Sequence, residues 1–407
     1  MWWLMKIFFV LGALLLGQSA WMLFDGIRFL RLVRRRRRSL LGSYTPSAAV
    51  VIPCKGLEEG FDANLDRFLN QDYPDYQVVF SLASADDLAY HHLQARLEAR
   101  VASGVIGNPR TSLVVAGVPE GRGEKVNNLV RGVREADPAA QVLVFADIDA
   151  APSPDWLRSL VAPLANSHIT VSTGYRWYLP GTGFGSRLRA AWDTSIATML
   201  GDHDHNFAWG GSMAIRAADF HQLKIAERHW ANTVSDDLSL TRAVQEAGGK
   251  IAFEPRCLVA SRGESSLWGF FRWSTRQVIL TRVYTARIWG LGLAACLFNC
   301  GTFTLGLAVM ALPGATVYPR VAVAIILLAV LLLGAGKGYI RTLVARELFG
   351  EEMDSGASCY WQLSPLISWT MLGNFVVSAF TRRIEWRGIV YELVSPDKVR
   401  IVRRAGG

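Results

Sequence analysis

The sequence predicts an α/β domain built on a mostly parallel sheet, set between an N-terminal apolar helix and further apolar helices near the C-terminus. Three observations predict it. The chain opens on about 24 apolar residues and returns to apolar stretches after residue 284. Between them, short apolar runs alternate with charged, helix-like segments, the pattern of strands and helices in turn. Basic residues gather where the apolar stretches end, as they do at the edge of a bilayer. Of 407 residues 51% are hydrophobic, and the mean hydropathy of +0.21 is too apolar for a fully soluble enzyme.

The N-terminal run MWWLMKIFFVLGALLLGQSAWMLF has the length a membrane helix needs. Lys6 near its front suggests a signal peptide, but no small-residue cleavage site follows and the positive charge lies on its far side. It reads as an uncleaved anchor over residues 1–30 with its N-terminus outside. Arg31 and the run Arg34, Arg35, Arg36, Arg37 and Arg38 fall in a basic juxtamembrane segment, residues 31–45. The net charge of +9 therefore points to acidic lipid headgroups and positive-inside orientation rather than to nucleic acid.

Residues 46–285 read as a cytosolic domain. Its strands are AAVVIP (48–53), YQVVFSLA (76–83), TSLVVAG (111–117) and QVLVFAD (141–147). Strands apolar throughout their length belong in the middle of a parallel sheet, and such sheets bind ligands at their carboxyl ends. Residues 286–385 hold apolar stretches near 289–312, 319–338 and 361–381, the last interrupted by Pro365, Gly373 and Asn374. An external N-terminus and a cytosolic sheet need an even number of later spans to return the basic tail, 386–407, to the same side. Two full spans and a re-entrant or interfacial third segment are therefore expected. The five cysteines, Cys54, Cys257, Cys296, Cys300 and Cys359, form no C-x-x-C pair, so neither a disulfide scaffold nor a zinc site is expected.

Three elements carry candidate chemistry. Asp147-Ile148-Asp149 ends the strand VLVFAD and places two carboxylates at the ligand edge, where they can hold a divalent cation against a diphosphate; read alone, D-x-D is also an ordinary polar loop. Asp236-Asp237 precedes a helix: one can cap it and the other can serve as a general base, or both are surface acids. Arg272-Trp273 lies where aromatic and basic residues crowd before the apolar region, which an interfacial position alone explains. His203-Asp204-His205 has ligand residue types but reads as a solvated loop. Residues 185–200 read as an interfacial helix or as core.

Taken in order, Pro53-Cys54-Lys55-Gly56, Asp72-Tyr73-Pro74, Asp86-Asp87, Lys125-Val126-Asn127-Asn128, Asp147, Gly210-Gly211-Ser212, Asp236-Asp237 and Arg272-Trp273 resemble the ceramide glucosyltransferase family. That is family 21, a relative of the large family 2 glycosyltransferases that include cellulose and hyaluronan synthases. The resemblance spans about residues 46–285, and Ile384-Glu385-Trp386-Arg387-Gly388 is similar to a Trp-Arg turn that follows the last membrane segment in these lipid transferases. It implies a GT-A type nucleotide-sugar domain with a mixed, mostly parallel sheet. It also implies that Asp86 or Asp87 reads the nucleotide base, that Pro53, Lys125, Asn127 and Asn128 sit beside the donor, and that Asp147 with Asp149 holds Mg²⁺ or Mn²⁺. Asp237 is implied as the base, Arg272 at the diphosphate and Trp273 at the acceptor. Gly269 departs from the pattern, standing where Gln or Arg is expected three positions before Arg-Trp.

The implied reaction is an inverting transfer of a hexose from a UDP-sugar, UDP-glucose in the leading reading, to the hydroxyl of a membrane lipid, ceramide, at the cytoplasmic face of the bilayer. Another lipid (a hopanoid, diacylglycerol or polyprenyl phosphate) or a polysaccharide is the alternative. A non-catalytic membrane scaffold is the reading from a different class, and the set of aspartates with Arg272 argues against it.

Overall fold

The structure, a computed structural model, describes residues 2–104, 108–311, 313, 317–350, 353 and 355–404. In chain order the elements are α1 (Trp2–Arg38), β1 (Ala48–Pro53), α2 (Phe61–Leu69), β2 (Tyr76–Leu82), α3 (Leu88–Ala102), β3 (Arg110–Val115), α4 (Glu124–Glu135), β4 (Val142–Ala146) and α5 (Trp156–Val161). There follow β5 (Ile169–Tyr178), α6 (Phe184–Ala197), β6 (Ser212–Arg216), α7 (Ala217–Gln222), α8 (Asp236–Glu246), β7 (Lys250–Ser261) and α9 (Leu267–Tyr284). The chain ends with α10 (Ala286–Ala311), α11 (Val317–Phe349), α12 (Cys359–Gln362), α13 (Ser364–Phe380), β8 (Arg383–Trp386), β9 (Ile389–Ser395) and β10 (Lys398–Arg404). These divide into two compact units, one of Arg35–Trp177, Met199–Ser261 and Arg382 onward, the other of Met1–Arg34, Tyr178–Thr198 and Arg262–Thr381.

The first unit holds the sheet. Its strand order is β3-β2-β1-β4-β6-β5-β7. β1 pairs in parallel with β2 and β4, and β2 with β3. β6 runs antiparallel to both β4 and β5, which makes the sheet mixed but mostly parallel, as expected for a GT-A type domain. All four apolar runs read from the sequence are strands. Their unbroken hydrophobicity has a direct cause: Ala48, Val50 and Ile52 enter one core with Phe68, Phe80 and Trp156, while Ala49 and Val51 enter another with Phe145, Phe220 and Trp230. Both faces of β1 are covered, so neither parity of side chain is polar. Both of these core tryptophans also satisfy their indole N–H: Trp156 donates to the Ser212 hydroxyl at 2.9 Å and Trp230 to the Asp236 carbonyl at 2.9 Å.

Residues from Arg383, read from sequence as part of a basic tail, form a second sheet in the same unit, three antiparallel strands ordered β10-β9-β8. Ile384, Ile389, Tyr391, Leu393 and Val399 are buried, and within β9 they alternate with more exposed residues in the period-two pattern of a half-covered strand. The sheet attaches at the start of α4. Tyr391 Oη accepts from the Glu124 amide at 3.2 Å, Arg404 lies 3.8 Å from the Glu124 carboxylate and donates to the Pro119 carbonyl, and Arg242 pairs with Asp397. The arginine run is also partly engaged. Arg35 pairs with Asp202 at 2.7 Å, and Arg36 lies 4.0 Å from Glu254.

The second unit holds the apolar helices. α1, α10 and α11, of 37, 26 and 33 residues, are long and apolar enough to cross a membrane. α1 is about 55 Å long and exceeds a hydrocarbon core of roughly 30 Å, so one helix carries both the apolar stretch and the arginine run. Residues 356–362 and 364–380 form a bent pair meeting at 69°, the geometry of a broken span or a re-entrant segment. Phe8 packs with Val309, Val323 and Leu327, and a Cβ at Gly306 would lie 2.6 Å from the Phe8 ring, the close approach that small residues permit between membrane helices. Two polar side chains of this unit bond across its helices. The Asn374 amide donates to the hydroxyls of Ser274 and Thr275 at 3.0 and 2.9 Å, and Ser364 donates to the Gly334 carbonyl at 2.8 Å.

Candidate active site

Four segments of the first unit meet at the carboxyl edge of its parallel strands. β1 ends at Pro53 and runs into Cys54-Lys55-Gly56, β2 leads to Asp86 and Asp87, and β4 ends immediately before Asp147. Because β6 runs the other way, its first residue Ser212 pairs with Ala146 and brings Gly210 and Gly211 to the same edge. The N-termini of α4 and α8 complete it with Lys125, Asp236 and Asp237.

The centre is an alternation of charges. Lys125 Nζ lies 2.8 Å from Asp147 Oδ1 and 3.1 Å from Asp236 Oδ2. On the other side Arg176, from β5, reaches Asp147 Oδ2 at 3.3 Å and Asp149 Oδ1 at 2.8 Å through a single nitrogen. Burial by itself would raise Asp147, but Lys125 and Arg176 outweigh it and hold the carboxyl below the usual carboxylate range. Burial would likewise strip the proton from Lys125, yet Asp147, Asp236 and Asp237 keep it well above the ordinary lysine value. Asp236 behaves differently. It is almost wholly buried, and burial, reinforced by the neighbouring charges of Asp237 and Asp147, pushes it up to about 7 against the pull of a lysine it shares.

Asp237 is half-buried. Its Oδ1 accepts from the Ser235 hydroxyl at 2.6 Å and the Leu238 amide at 2.7 Å, and Oδ2 from the Gly210 amide at 3.4 Å. Ser235, not either aspartate, is the N-cap of α8. Gly210 and Gly211 are set by close approach: a Cβ on Gly210 would lie 2.0 Å from Asp236 Oδ2, and one on Gly211 2.9 Å from Asp147 Oδ2 and 2.2 Å from the Trp209 ring.

The other predicted residues fall as follows. Asp87 N-caps α3 through the Ala89 amide and accepts from the Gly56 amide, each at 2.9 Å, whereas Asp86 is exposed and bonds to Ser84. Asn127 donates to the carbonyls of Ala116 and Gly117. Asn128 is buried, its Oδ1 without a hydrogen-bond partner among the described residues. Arg272 and Trp273 belong to the helical unit, on α9. Arg272 is exposed, and Trp273 packs edge-on against Tyr178 and Trp192, with ring centroids 5.5 and 5.3 Å apart. His203 and His205 are exposed, and Asp204 pairs with Lys250 at 2.9 Å. Among the described residues no three His, Cys, Asp or Glu side chains gather as a metal-ligand set.

Sequence reading did not single out Arg176, Glu58 or Glu124. A lone charge among the otherwise uncharged residues of β5 was the available signal for Arg176. Nothing in the sequence indicates that Glu124 pairs with Lys55, as it does at 2.8 Å.

Solved structures to which the chain is similar include a mannosyltransferase from Pyrobaculum calidifontis in complex with GDP-Man and Mn²⁺ (15% identity, 91% of this chain and 97% of that one, TM-score 0.44). Another is glucosyl-3-phosphoglycerate synthase from Mycobacterium tuberculosis (16% identity, 67% and 84%, TM-score 0.36). A third is GalNAc-T7 with UDP, GalNAc and Mn²⁺ (14% identity, 60% and 48%, TM-score 0.39). Comparison with curated proteins finds no match. The profile of glycosyl transferase family 21 matches residues 13–399, nearly the whole length, from within α1 to the start of β10, and the chain therefore belongs to glycosyl transferase family 21.

Proposed function

We propose that this glycosyltransferase moves a hexose from a UDP-sugar, UDP-glucose, to the hydroxyl of a membrane lipid, ceramide, with inversion at the anomeric carbon and with its α/β unit on the cytoplasmic side. The observation that carries the reading is the convergence of Asp147, Asp149, Lys125 and the Asp236-Asp237 pair at one sheet edge, in a chain that also has three helices able to span a bilayer.

The residues fit a divalent cation. Carboxylates of Asp147 and Asp149 converge on one cationic nitrogen of Arg176, so their oxygens face a common point, and two carboxylates plus donor phosphates are the usual surroundings of Mg²⁺ or Mn²⁺. When bound, the metal would neutralise charge on the departing diphosphate. Lys125 holds Asp147 in place and supplies a second positive charge beside it. Arg176, released from the carboxylates, adds a third. Asp237 accepts the proton of the lipid hydroxyl as that oxygen attacks the anomeric carbon from the face opposite the nucleotide. Asp236, raised to about 7 by its burial, carries less negative charge beside the nucleophile than an ordinary carboxylate would. The base is read by Asp86 or Asp87 beside Pro53, Asn127 and Asn128 support the donor, and the resemblance assigns Arg272 to the diphosphate and Trp273 to the acceptor.

The test is UDP release by the purified chain in lipid nanodiscs containing ceramide, diacylglycerol, hopanoid or polyprenyl phosphate, with a panel of nucleotide sugars and with or without Mn²⁺, the lipid product being read by mass spectrometry. A hexosylceramide is the expected product. A different glycolipid moves the acceptor assignment to that lipid, and no nucleotide release from any donor overturns the reading.

A further inference from the structure

The small C-terminal sheet does more in this fold than close the chain. Its β8–β9 hairpin turns through two residues, Arg387 and Gly388, with φ of 48° and 78°, the backbone of a type I′ turn. The second position is a glycine, as the geometry asks. The first is an arginine in left-handed backbone, a conformation that Asn, Asp or Gly adopts with far less steric penalty. Nothing about the turn itself calls for arginine, so its side chain is where the reason lies.

That side chain reaches into the carboxyl edge of the large sheet. Arg387 Nη1 donates to the Lys55 carbonyl at 2.9 Å, and Nη2 pairs with Glu58 Oε1 at 2.7 Å. Both partners lie on the loop after β1, which the Gly56 amide also ties to Asp87. The Arg387 side chain remains more than a third exposed, and its charge is felt at Asp147, lowering that carboxyl. Lys55 meanwhile pairs with Glu124, the residue on which the small sheet is moored through Tyr391 and Arg404. The hairpin thus presents a part-exposed, pre-oriented guanidinium at the loop after β1, within electrostatic reach of Asp147 and resting on a carboxylate that is itself two-fifths exposed.

We propose that Arg387 is a ligand of the donor diphosphate, delivered by the C-terminal sheet, and that Glu58 is its partner while the site holds no nucleotide. On binding, Arg387 exchanges the Glu58 carboxylate for phosphate oxygens, an exchange of like acceptors that a planar guanidinium makes readily. The proposal rests on the nucleotide-sugar reading above.

Arg387→Asn separates a binding role from a structural one, because Asn suits the left-handed turn. The full chain in nanodiscs is titrated with UDP and with uridine by calorimetry, in Mn²⁺ and in EDTA, alongside thermal unfolding. Arg387→Asn is expected to weaken UDP about tenfold or more while uridine binding is unchanged and the unfolding temperature is equal or higher. Arg387→Lys recovers part of the loss, and Glu58→Gln, by freeing the guanidinium, leaves UDP binding equal or tighter. UDP affinity within twofold of wild type in Arg387→Asn overturns the proposal. So does a parallel fall in UDP affinity, uridine affinity and unfolding temperature of the kind expected when Arg404→Ala loosens the sheet. Failure of the wild-type chain to bind UDP or GDP at all overturns the nucleotide-sugar reading with it, whereas nucleotide binding that ignores Arg387 overturns this proposal alone.

Discussion

Asp236 and Asp237 are neighbours in sequence with unlike surroundings, and the proposed mechanism gives them different work. Asp237, half-buried and fixed by Ser235 and the Leu238 amide, is the expected base. Asp237→Asn should reduce turnover by roughly 10²- to 10⁴-fold with thermal unfolding unchanged, and full turnover in a folded Asp237→Asn chain would remove it from that role. Asp236 should instead register in stability. Its value rises from 3.8 to about 7 on folding, so between these pH values the folded chain holds a proton that the unfolded chain has lost. Stability therefore falls as pH rises through that window, and Asp236→Asn should flatten the slope in unfolding curves taken from pH 4 to 8. Gly210→Ala drives a methyl group into the Asp236 carboxylate, and a loss of about 1–3 kcal/mol is expected, together with activity, by denaturant unfolding and UDP release.

At the level of elements, the entry to α9 is fixed by a carboxylate. Glu264 accepts from the Ser186 hydroxyl at 2.7 Å, the Thr182 amide at 2.8 Å and the Gly183 amide at 3.2 Å. It thereby closes the start of α6 onto the segment before α9. The Ser186 bond first, then the two amides, hold Glu264 down to about 2. Its contribution is complete above the ordinary glutamate range and is lost as pH falls from 4.5 toward 2. Hydrogen exchange at Thr182 and Gly183 should accelerate across that interval in the wild type and be fast already at neutral pH in Glu264→Gln; equal protection in both proteins would mean that other contacts hold the segment. The four parallel strands and the long apolar helices were legible in the sequence because a doubly covered strand and a lipid-facing helix each write a simple apolar pattern. β5 and β7 were not, since Gly174 and Arg176 interrupt the one and Pro255 the other; β6 is only five residues long, and the small sheet, with the buried alternation of Ile389, Tyr391 and Leu393, lies in a stretch dominated by arginines on either side. The D-x-D and the acidic pair stood out as motifs. Arg176 and Glu58 did not, because their importance comes from pairings between residues distant in the chain.

For the whole molecule, sidedness follows from where the charges and spans lie. With α1, α10 and α11 as spans, Leu40 and Lys398 should share the cytoplasmic side and Pro313, in the connection from α10 to α11, should face the other. In a cysteine-free background, an impermeant maleimide should label Pro313→Cys in intact cells, but Leu40→Cys and Lys398→Cys only after permeabilisation. Labelling of Leu40→Cys and Lys398→Cys, but not of Pro313→Cys, in intact cells would reverse the orientation proposed here.

The bond from Arg387 to Lys55 also sets an order of events during synthesis. Its two ends lie 332 positions apart, with every apolar helix after α1 encoded between them. The ribosome must therefore release α10, α11 and the bent pair before the hairpin exists to reach the loop after β1. On the proposed reading, a prematurely terminated chain would enter the bilayer yet lack one cation of its donor site, which would be completed only after the apolar helices are in place.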